Sequence, residues 1–192
     1  KVVIITGASS GIGYALVYEF ASHGAKIALG ARSEGKLARI AEDLETRGTE
    51  AVYEATDVTR EADCRRLIER TVERFGRIDI LVNVAGITGS TALEDITLES
   101  WDRMMDIDLK SMFFVTQAVY AIMKEQGYGK LVHMSSLAAL RGGRSSDASY
   151  AAAKAGILNL SKCFALKGAE HHITSNAVCP GNILTPMGKT LS

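Results

Sequence analysis

The feature of this chain that most constrains its fold is a regular alternation of short apolar runs with longer amphipathic stretches. Six runs rich in aliphatic and β-branched residues predict strands at 2–6, 26–30, 50–55, 78–83, 130–135 and 174–178. Five stretches between them have helical periodicity: 11–23, 33–47, 61–75, 98–125 and 148–168. Because strands that alternate with helices favour parallel pairing with helices on both faces, the pattern predicts a three-layer α/β fold with a doubly wound parallel sheet.

The length and composition are those of a folded domain with a substantial core. The chain has 192 residues, of which 47% are hydrophobic and 23% are charged. We expect a single domain over residues 1–192, although length alone leaves room for two small ones. A sheet of this kind is expected to continue with a further helix and strand, which the printed sequence lacks.

Charge and cysteine usage narrow the classes of partner. Lys and Arg number 22 and Asp and Glu number 22, so no overall field favours nucleic acid or an anionic membrane. No apolar run approaches the roughly 20 residues that cross a bilayer. The three cysteines are widely spaced, which fits reduced thiols better than disulfides or a metal site. We expect a cytoplasmic protein without a nucleic-acid, membrane or metal partner.

A glycine-rich turn, TGASSGIG at 6–13, follows the first predicted strand. Gly7 can adopt positive φ, and Gly11 allows the backbone to approach a phosphate. Gly13 permits close helix packing, so that the helix N-terminus faces a pyrophosphate. The spacing differs from GxGxxG, and a plain strand–helix turn stays an alternative. The candidate nucleotide contacts in this turn are Gly7, Ser9, Ser10, Gly11, Ile12 and Gly13.

Residues after the second, third and fourth strands are candidates for contacts with the adenosine part of the same nucleotide. Ala31 offers no carboxylate for the ribose 2′-hydroxyl of NAD, whereas Arg32 suits the 2′-phosphate of NADP. NADP(H) is therefore the expected cofactor and NAD(H) the alternative, unless Arg32 is simply solvated. Further candidate contacts are Ser33 beside Arg32, and Asp57 and Val58 at the adenine. The cofactor is also expected to lie against the backbone of the segment that contains Asn83, Ala85 and Gly86.

Tyr150 and Lys154 stand four residues apart in SYAAAKAG. Residues at this spacing share a helix face, about 6 Å apart along the axis. A free phenol has a pKa of about 10, so it is a poor acid or base near neutral pH, and a neighbouring cation favours its phenolate form. The pair alone is common on helix surfaces. Beside a nucleotide site it indicates proton transfer.

Taken in order, the motifs resemble the short-chain dehydrogenase/reductase family, in particular its 3-ketoacyl and carbonyl reductases. They are TGASSGIG at 6–13, DV at 57–58, NVAG at 83–86, MSS at 134–136, YAAAK at 150–154 and CPGNILT at 179–185. The resemblance implies a Rossmann-type sheet and hydride transfer between nicotinamide C4 and a carbonyl or alcohol carbon. It implies Tyr150 as general acid and base, Lys154 as its cationic neighbour on the nicotinamide ribose, and Ser136 as the residue that orients the substrate oxygen.

The resemblance also implies cofactor contacts from the last loop, at Pro180, Gly181, Ile183 and Thr185. One position departs from it: Asp108 stands where the family commonly has an Asn that completes a proton relay to the lysine. An aspartate adds negative charge near Lys154, which would stabilise the ammonium and partly cancel its effect on Tyr150. We expect a relay that works but is retuned.

Substrate and assembly are less specified. Arg141 or Arg144 could contact an anionic substrate such as an acyl thioester, or both could be surface arginines. Helices 98–125 and 148–168 carry many apolar and small residues. Relatives associate as dimers and tetramers through the corresponding pair, so a homo-oligomer, either a dimer or a homotetramer, is expected. These residues include Met112, Phe113, Phe114, Ala118, Ala152, Ala155 and Leu158.

The sequence therefore predicts an NADP(H)-dependent oxidoreductase that acts on a ketone or secondary alcohol, either a small molecule or an acyl thioester. Two other interpretations remain. An extended-type sugar epimerase or dehydratase shares Tyr-x-x-x-Lys but usually has a different glycine spacing. A nucleotide-sensing binding protein without catalysis is supported by Asp108 alone, and the intact Ser136, Tyr150 and Lys154 argue against it.

Overall fold

The computed structural model describes residues 1–143 and 147–186. Within them the strands are β1 Val2–Thr6, β2 Lys26–Ala31, β3 Ala51–Ala55, β4 Ile80–Asn83, β5 Gly129–Met134 and β6 Ile173–Val178. The helices are α1 Gly11–Ser22, α2 Glu34–Thr46, α3 Glu61–Phe75, α4 Leu98–Met105, α5 Ser111–Gln126, α6 Ala138–Arg141 and α7 Ala148–Gly168. Short 3₁₀ turns occupy Leu93–Asp95 and Ala169–His171, and a π-helical turn, Asp106–Lys110, joins α4 to α5.

The described strands form one parallel sheet in the order β3-β2-β1-β4-β5-β6. This is the order of the Rossmann fold, in which the direction of winding reverses between β1 and β4. The predicted doubly wound parallel sheet is confirmed. The carboxyl ends of all six strands point to one edge, so the loops after them converge there.

Helices cover both faces of the sheet, which gives the three predicted layers. β1 is buried along its whole length, as expected of a central parallel strand. Its residues alternate between two cores: Val3 and Ile5 pack towards α1 and α2, whereas Ile4 packs towards α3 and α5. Helix α7 lies on the second face, where its Phe164 joins the same core. The sheet therefore holds the loops at its edge on a rigid base.

The main difference from the predicted elements lies in the stretch 98–125, which is not one continuous helix. The π-helical turn Asp106–Lys110 divides it into α4 and α5. One wider turn changes the direction of the side chains that follow, so Asp108 is buried while Lys110 stays exposed. Met112, which was counted among the surplus apolar residues, is also buried in the protein's own interior. No helix in the described ranges is long and apolar enough to span a membrane.

Candidate active site

A cleft of about 1430 Å³ runs along the carboxyl edge of the sheet, across the point where the winding reverses. Open sheets of this class bind ligands at that position. The volume exceeds the roughly 300–1,000 Å³ of a typical small-ligand pocket, so there is room for a dinucleotide and a second molecule. Its walls are built from the ends of all six strands and the loops that follow them.

The glycine turn between β1 and α1 forms the floor at the centre of the cleft. Gly7 and Gly11 have φ of +70° and +56°, in the left-handed region that favours glycine. A Cβ at Gly7 would lie 2.8 Å from the backbone nitrogen of Ala85, so only glycine lets the turn pack against the loop after β4. Ser9, Ser10 and Ile12 line the cleft beside them. Exposed backbone at a helix N-terminus fits a pyrophosphate.

Two of the candidate nucleotide contacts lie behind the wall of the cleft rather than in it. Gly13 packs on the turn itself, because a Cβ there would overlap with the Gly7 carbonyl. Asn83 is buried, and its side-chain amide donates to Thr116 Oγ1 at 2.9 Å. Neither is among the residues that line the cleft. Both therefore support the wall instead of facing a ligand.

The adenosine side of the cleft is lined by Arg32, Ser33, Asp57 and Val58. Ala31 leaves this corner without a carboxylate at the end of β2. Asp57 accepts hydrogen bonds at one oxygen from the Thr59 hydroxyl (2.7 Å) and the Thr59 N–H (3.0 Å). These bonds lower the pKa of Asp57 below its usual value, so the carboxylate stays ionised.

Tyr150 and Lys154 line the cleft on its other side, where α7 begins. The Lys154 ammonium lies 5.5 Å from the centre of the Tyr150 ring, so the two side chains share one face of α7 as predicted. Lys154 is only 5% exposed, and its Nζ donates to the Met134 carbonyl at 3.1 Å. The pair thus combines a phenol at the cleft with a cation that the fold holds in place.

Ser136 lines the same part of the cleft, directly after β5. Its neighbour Ser135 is 3% exposed, and its hydroxyl donates to the Lys154 carbonyl at 2.7 Å. The Ser135 hydroxyl is therefore used within the fold, where it joins β5 to α7. Ser136 is the serine that stands beside Tyr150 at the cleft.

Asp108 lies beneath this cluster, in the π-helical turn. It is 1% exposed; its Oδ1 accepts from the Ile87 N–H at 2.7 Å, and its Oδ2 lies 2.9 Å from Lys154 Nζ. The ion pair is close but not aligned as a hydrogen bond, because Oδ2 has no well-directed donor. Burial raises the pKa of Asp108, while Lys154 and the Ile87 N–H act in the opposite direction. The predicted contact of this carboxylate with Lys154 is present.

The last described loop closes over the glycine turn. Pro180, Gly181, Ile183 and Thr185 all line the cleft. The Pro180 carbonyl accepts from the Leu137 N–H at 3.0 Å, which joins this loop to the segment after Ser136. A Cβ at Gly11 would lie 3.5 Å from Thr185 Cβ, so the loop reaches the glycine turn from the opposite side.

Comparison with known proteins gives this arrangement its family. The model of the short chain dehydrogenase family matches residues 1–192 of this chain. The chain belongs to the short chain dehydrogenases. It is 38% identical over 191 residues to the 3-oxoacyl-(acyl-carrier-protein) reductase FabG of Thermotoga maritima. The aligned region covers 100% of this chain and 77% of that protein.

Solved structures of this dehydrogenase family superpose closely on the chain. A short-chain type dehydrogenase/reductase from Mycobacterium marinum has a TM-score of 0.94 and 32% identity, covering 100% of this chain and 76% of the other. Actinorhodin polyketide ketoreductase, determined with NADPH, has a TM-score of 0.94 and 34% identity, covering 100% and 74%. Like these relatives, the protein is an oxidoreductase of the short-chain dehydrogenase type.

The structure brings residues to the cleft of this short-chain dehydrogenase that the sequence did not single out. Lys36, in the first turn of α2, lines it on the adenosine side. Arg103 and Ile107 line it from α4 and the π-helical turn. Beside them Arg141, which the sequence did single out, lines it from α6. A basic residue four positions after Arg32 could have indicated Lys36. No local pattern marks Arg103, because the face that α4 turns to the cleft depends on packing.

Two remaining expectations concern the substrate and metals. Arg144 lies outside the described residues, so Arg141 is the member of that pair with a known position. Within the described ranges, no group of three or more His, Cys, Asp or Glu side chains could hold a metal ion. Among the described lining residues Asp57 is the one acid, which leaves the substrate end of the cleft bordered by arginines.

Proposed function

We propose that this protein is an NADP(H)-dependent oxidoreductase that interconverts a ketone and a secondary alcohol, with the cofactor and catalytic sites on one domain. The observation that best supports the proposal is that Tyr150, Lys154 and Ser136 line the same cleft as the glycine turn. The nicotinamide, when bound, supplies or accepts the hydride.

The protein's own residues then manage the proton and the substrate oxygen. Tyr150 acts as general acid in carbonyl reduction and as general base in alcohol oxidation. Lys154 favours the phenolate form, and its ammonium is held by Asp108 at 2.9 Å and by the Met134 carbonyl at 3.1 Å. Ser136 donates a hydrogen bond to the substrate oxygen and so orients it. Asp108 connects the lysine to the loop after β4 and retunes the relay.

The preference for NADP(H) over NAD(H) is supported by charge at the adenosine corner. Arg32 and Lys36 line it, and no acid stands at the end of β2 to accept from a ribose 2′-hydroxyl. The ketoreductase neighbour was determined with NADPH. The expected contacts are those already described around the glycine turn, Asp57, the loop after β4 and the last loop.

A 3-oxoacyl thioester is the substrate class that we favour, ahead of a small neutral ketone. Arg103 and Arg141 line the substrate end of the cleft, and among the described residues neither makes an ion pair. Such guanidinium groups suit the phosphate groups of a coenzyme A or phosphopantetheine thioester. A relative that is 38% identical is named as a reductase of 3-oxoacyl groups on acyl carrier protein.

We further propose a cytoplasmic homotetramer that associates through α5 and α7. Phe114 on α5 is 52% exposed, and Ala118, Ala152 and Ala155 are exposed on the same two helices. Large exposed apolar side chains next to small ones favour close packing of a second subunit. The absence of net charge is compatible with self-association.

NADPH oxidation, measured over a panel of carbonyl compounds, tests the proposal. Acetoacetyl-CoA should be reduced faster than its neutral analogue acetoacetyl-N-acetylcysteamine, and both faster than a keto sugar. Tyr150→Phe should lose at least about 100-fold in kcat while NADPH still binds. Tight NADPH binding with no turnover of any compound would instead favour a nucleotide sensor. Conversion of a nucleotide sugar without net NADPH oxidation would favour an epimerase.

A further inference from the structure

The first turn of α7 is tied to the loop after β4 by two residues that the reaction does not use directly, Gly89 and Asp147. Asp147 is 6% exposed and precedes α7. Its Oδ1 accepts from the backbone N–H of Tyr150 at 2.8 Å and from the Ser149 hydroxyl at 2.8 Å. The carboxylate is thus bonded to the backbone of the proposed general acid.

Gly89 meets the same residue from the other side. The Gly89 carbonyl accepts from the Asp147 N–H at 3.0 Å. A Cβ at position 89 would overlap with Asp147 Oδ2, and would lie 3.4 Å from Met104 Cε. The backbone of Gly89 is outside the left-handed region, so space and not conformation requires glycine here. Any side chain at position 89 must displace the carboxylate or the loop.

Lys154, one turn further along α7, is held by different groups. Its ammonium is fixed by Asp108 and the Met134 carbonyl, and its own carbonyl by the Ser135 hydroxyl. Loss of the Asp147 contacts would therefore loosen the turn that carries Tyr150 and leave Lys154 anchored. The two halves of the Tyr150–Lys154 pair therefore have different hydrogen-bond supports, while the charge of the Asp147 carboxylate also acts on Asp108.

We propose that Asp147 is a positioning residue, and that Gly89 and Asp147 together form a clasp that holds the Tyr150 phenol in register with the loop after β4. That loop lines the cleft through Val84, Ala85, Gly86 and Ile87. The inference rests on the proposed function, because it concerns where the general acid stands. The clasp therefore sets the distance between the Tyr150 phenol and the loop after β4, which faces it across the cleft.

A double-mutant cycle of Asp147→Ala and Gly89→Ala tests the clasp, with NADPH and acetoacetyl-CoA as probes. Each single variant should lower kcat about tenfold while the Kd for NADPH stays within about twofold, since a small displacement of the acid acts on the chemical step. The double variant should be no slower than the slower single one, because alanine at 147 removes the oxygen that a Cβ at 89 would strike. Asp147→Asn should restore kcat to within about threefold of wild type, because an amide oxygen also caps a helix.

Thr97→Ala is the matched control, because Thr97 caps α4 with a side-chain bond to the Ser100 N–H at 3.1 Å. It should lower the thermal midpoint without lowering kcat. Hydrogen exchange gives a readout that needs no turnover: the Tyr150 amide should exchange about tenfold faster in both single variants, and the Lys154 amide at the wild-type rate.

Three outcomes would overturn the clasp: multiplicative losses of kcat in the double variant, a fall in NADPH affinity that parallels kcat, or wild-type exchange at the Tyr150 amide in both single variants. If wild type reduced none of the carbonyl compounds, the proposed function would fail, and the exchange rates would then decide the clasp on their own.

Discussion

At the scale of single residues, Asp108 is the side chain that most distinguishes this site. A neutral asparagine could occupy the same place in the π-helical turn and accept from the Ile87 N–H. The carboxylate instead puts a negative charge 2.9 Å from the Lys154 ammonium, out of contact with water. Each of these two buried charges therefore stabilises the charged form of the other.

Asp108→Asn should therefore change the pH dependence more than the fold. With the carboxylate gone, the Lys154 cation acts on Tyr150 uncompensated and favours the phenolate. We expect the pH–rate profile for alcohol oxidation to move towards lower pH by roughly one unit. Asp106→Asn is the control, since Asp106 lies in the same turn but its side chain is half-exposed and pairs with Lys110 at 2.9 Å. An unchanged profile and kcat in Asp108→Asn would show that the carboxylate plays no part in the relay.

Arg32 allows a second prediction at this scale. Arg32→Ala should lower kcat/KM with NADPH by about 10–100-fold, the range expected for lost hydrogen bonds to a charged group, and should leave NADH nearly unaffected. Arg39→Ala is the control, because Arg39 is exposed on α2, the helix that follows Arg32, and lines an outer groove instead of the cleft. Equal losses of kcat/KM with NADPH and NADH would mean that Arg32 does not bind the 2′-phosphate.

At the scale of elements, a buried polar network joins strands β4, β5 and β6 to helices α5 and α7. Asn83 of β4 lies 3.2 Å from His133 Nδ1 of β5, and His133 Nε2 lies 3.2 Å from Ser175 Oγ of β6. Asn83 also reaches α5, and Ser161 of α7 lies 3.0 Å from Ser175 Oγ. The network sits directly behind the catalytic wall and holds its strands and helices in register.

This network predicts how stability depends on pH. Burial lowers the pKa of His133 to about 4, so the imidazole is neutral in the folded state while it is protonated below about pH 6.5 in the unfolded chain. Its contribution is complete above pH 6.5 and is lost as the pH falls to 4, on the order of 3 kcal/mol in all.

Urea unfolding between pH 7 and 4 measures this loss. His133→Asn should be less stable at pH 7 but should show a shallower decline towards pH 4. His23→Asn is the control, since His23 is exposed at the end of α1. A decline as steep in His133→Asn as in wild type would assign the acid sensitivity to other groups.

At the scale of the whole molecule, the exposed face of α5 and α7 is the surface that we propose for assembly. Phe114→Glu should convert the proposed tetramer to smaller species in sedimentation velocity, because a buried unpaired carboxylate is unfavourable at an interface. Leu93→Glu is the control, since Leu93 is 75% exposed in the segment before α4. A single small species in wild type, unchanged by Phe114→Glu, would overturn the proposed assembly.

Much of the architecture was predictable because the signals are local. The alternation of strands and helices, the glycine turn and the four-residue spacing of Tyr150 and Lys154 depend on neighbouring residues only. Seven of the predicted helices and strands differ from the structure by one or two residues at their ends, and β1, α3 and α7 by none. The predicted helix 98–125 failed because a π-helical turn has the composition of an ordinary one.

The sequence alone was enough to predict a doubly wound parallel sheet, the edge that binds nucleotide and most of the residues that meet there, because these follow from periodicity, turn chemistry and the order of the motifs. The tertiary structure was needed to establish the strand order, that Gly13 and Asn83 lie behind the wall, and that Gly89 leaves space for Asp147. These contacts join residues far apart in the chain. They depend on how whole elements pack against one another, which no local pattern records.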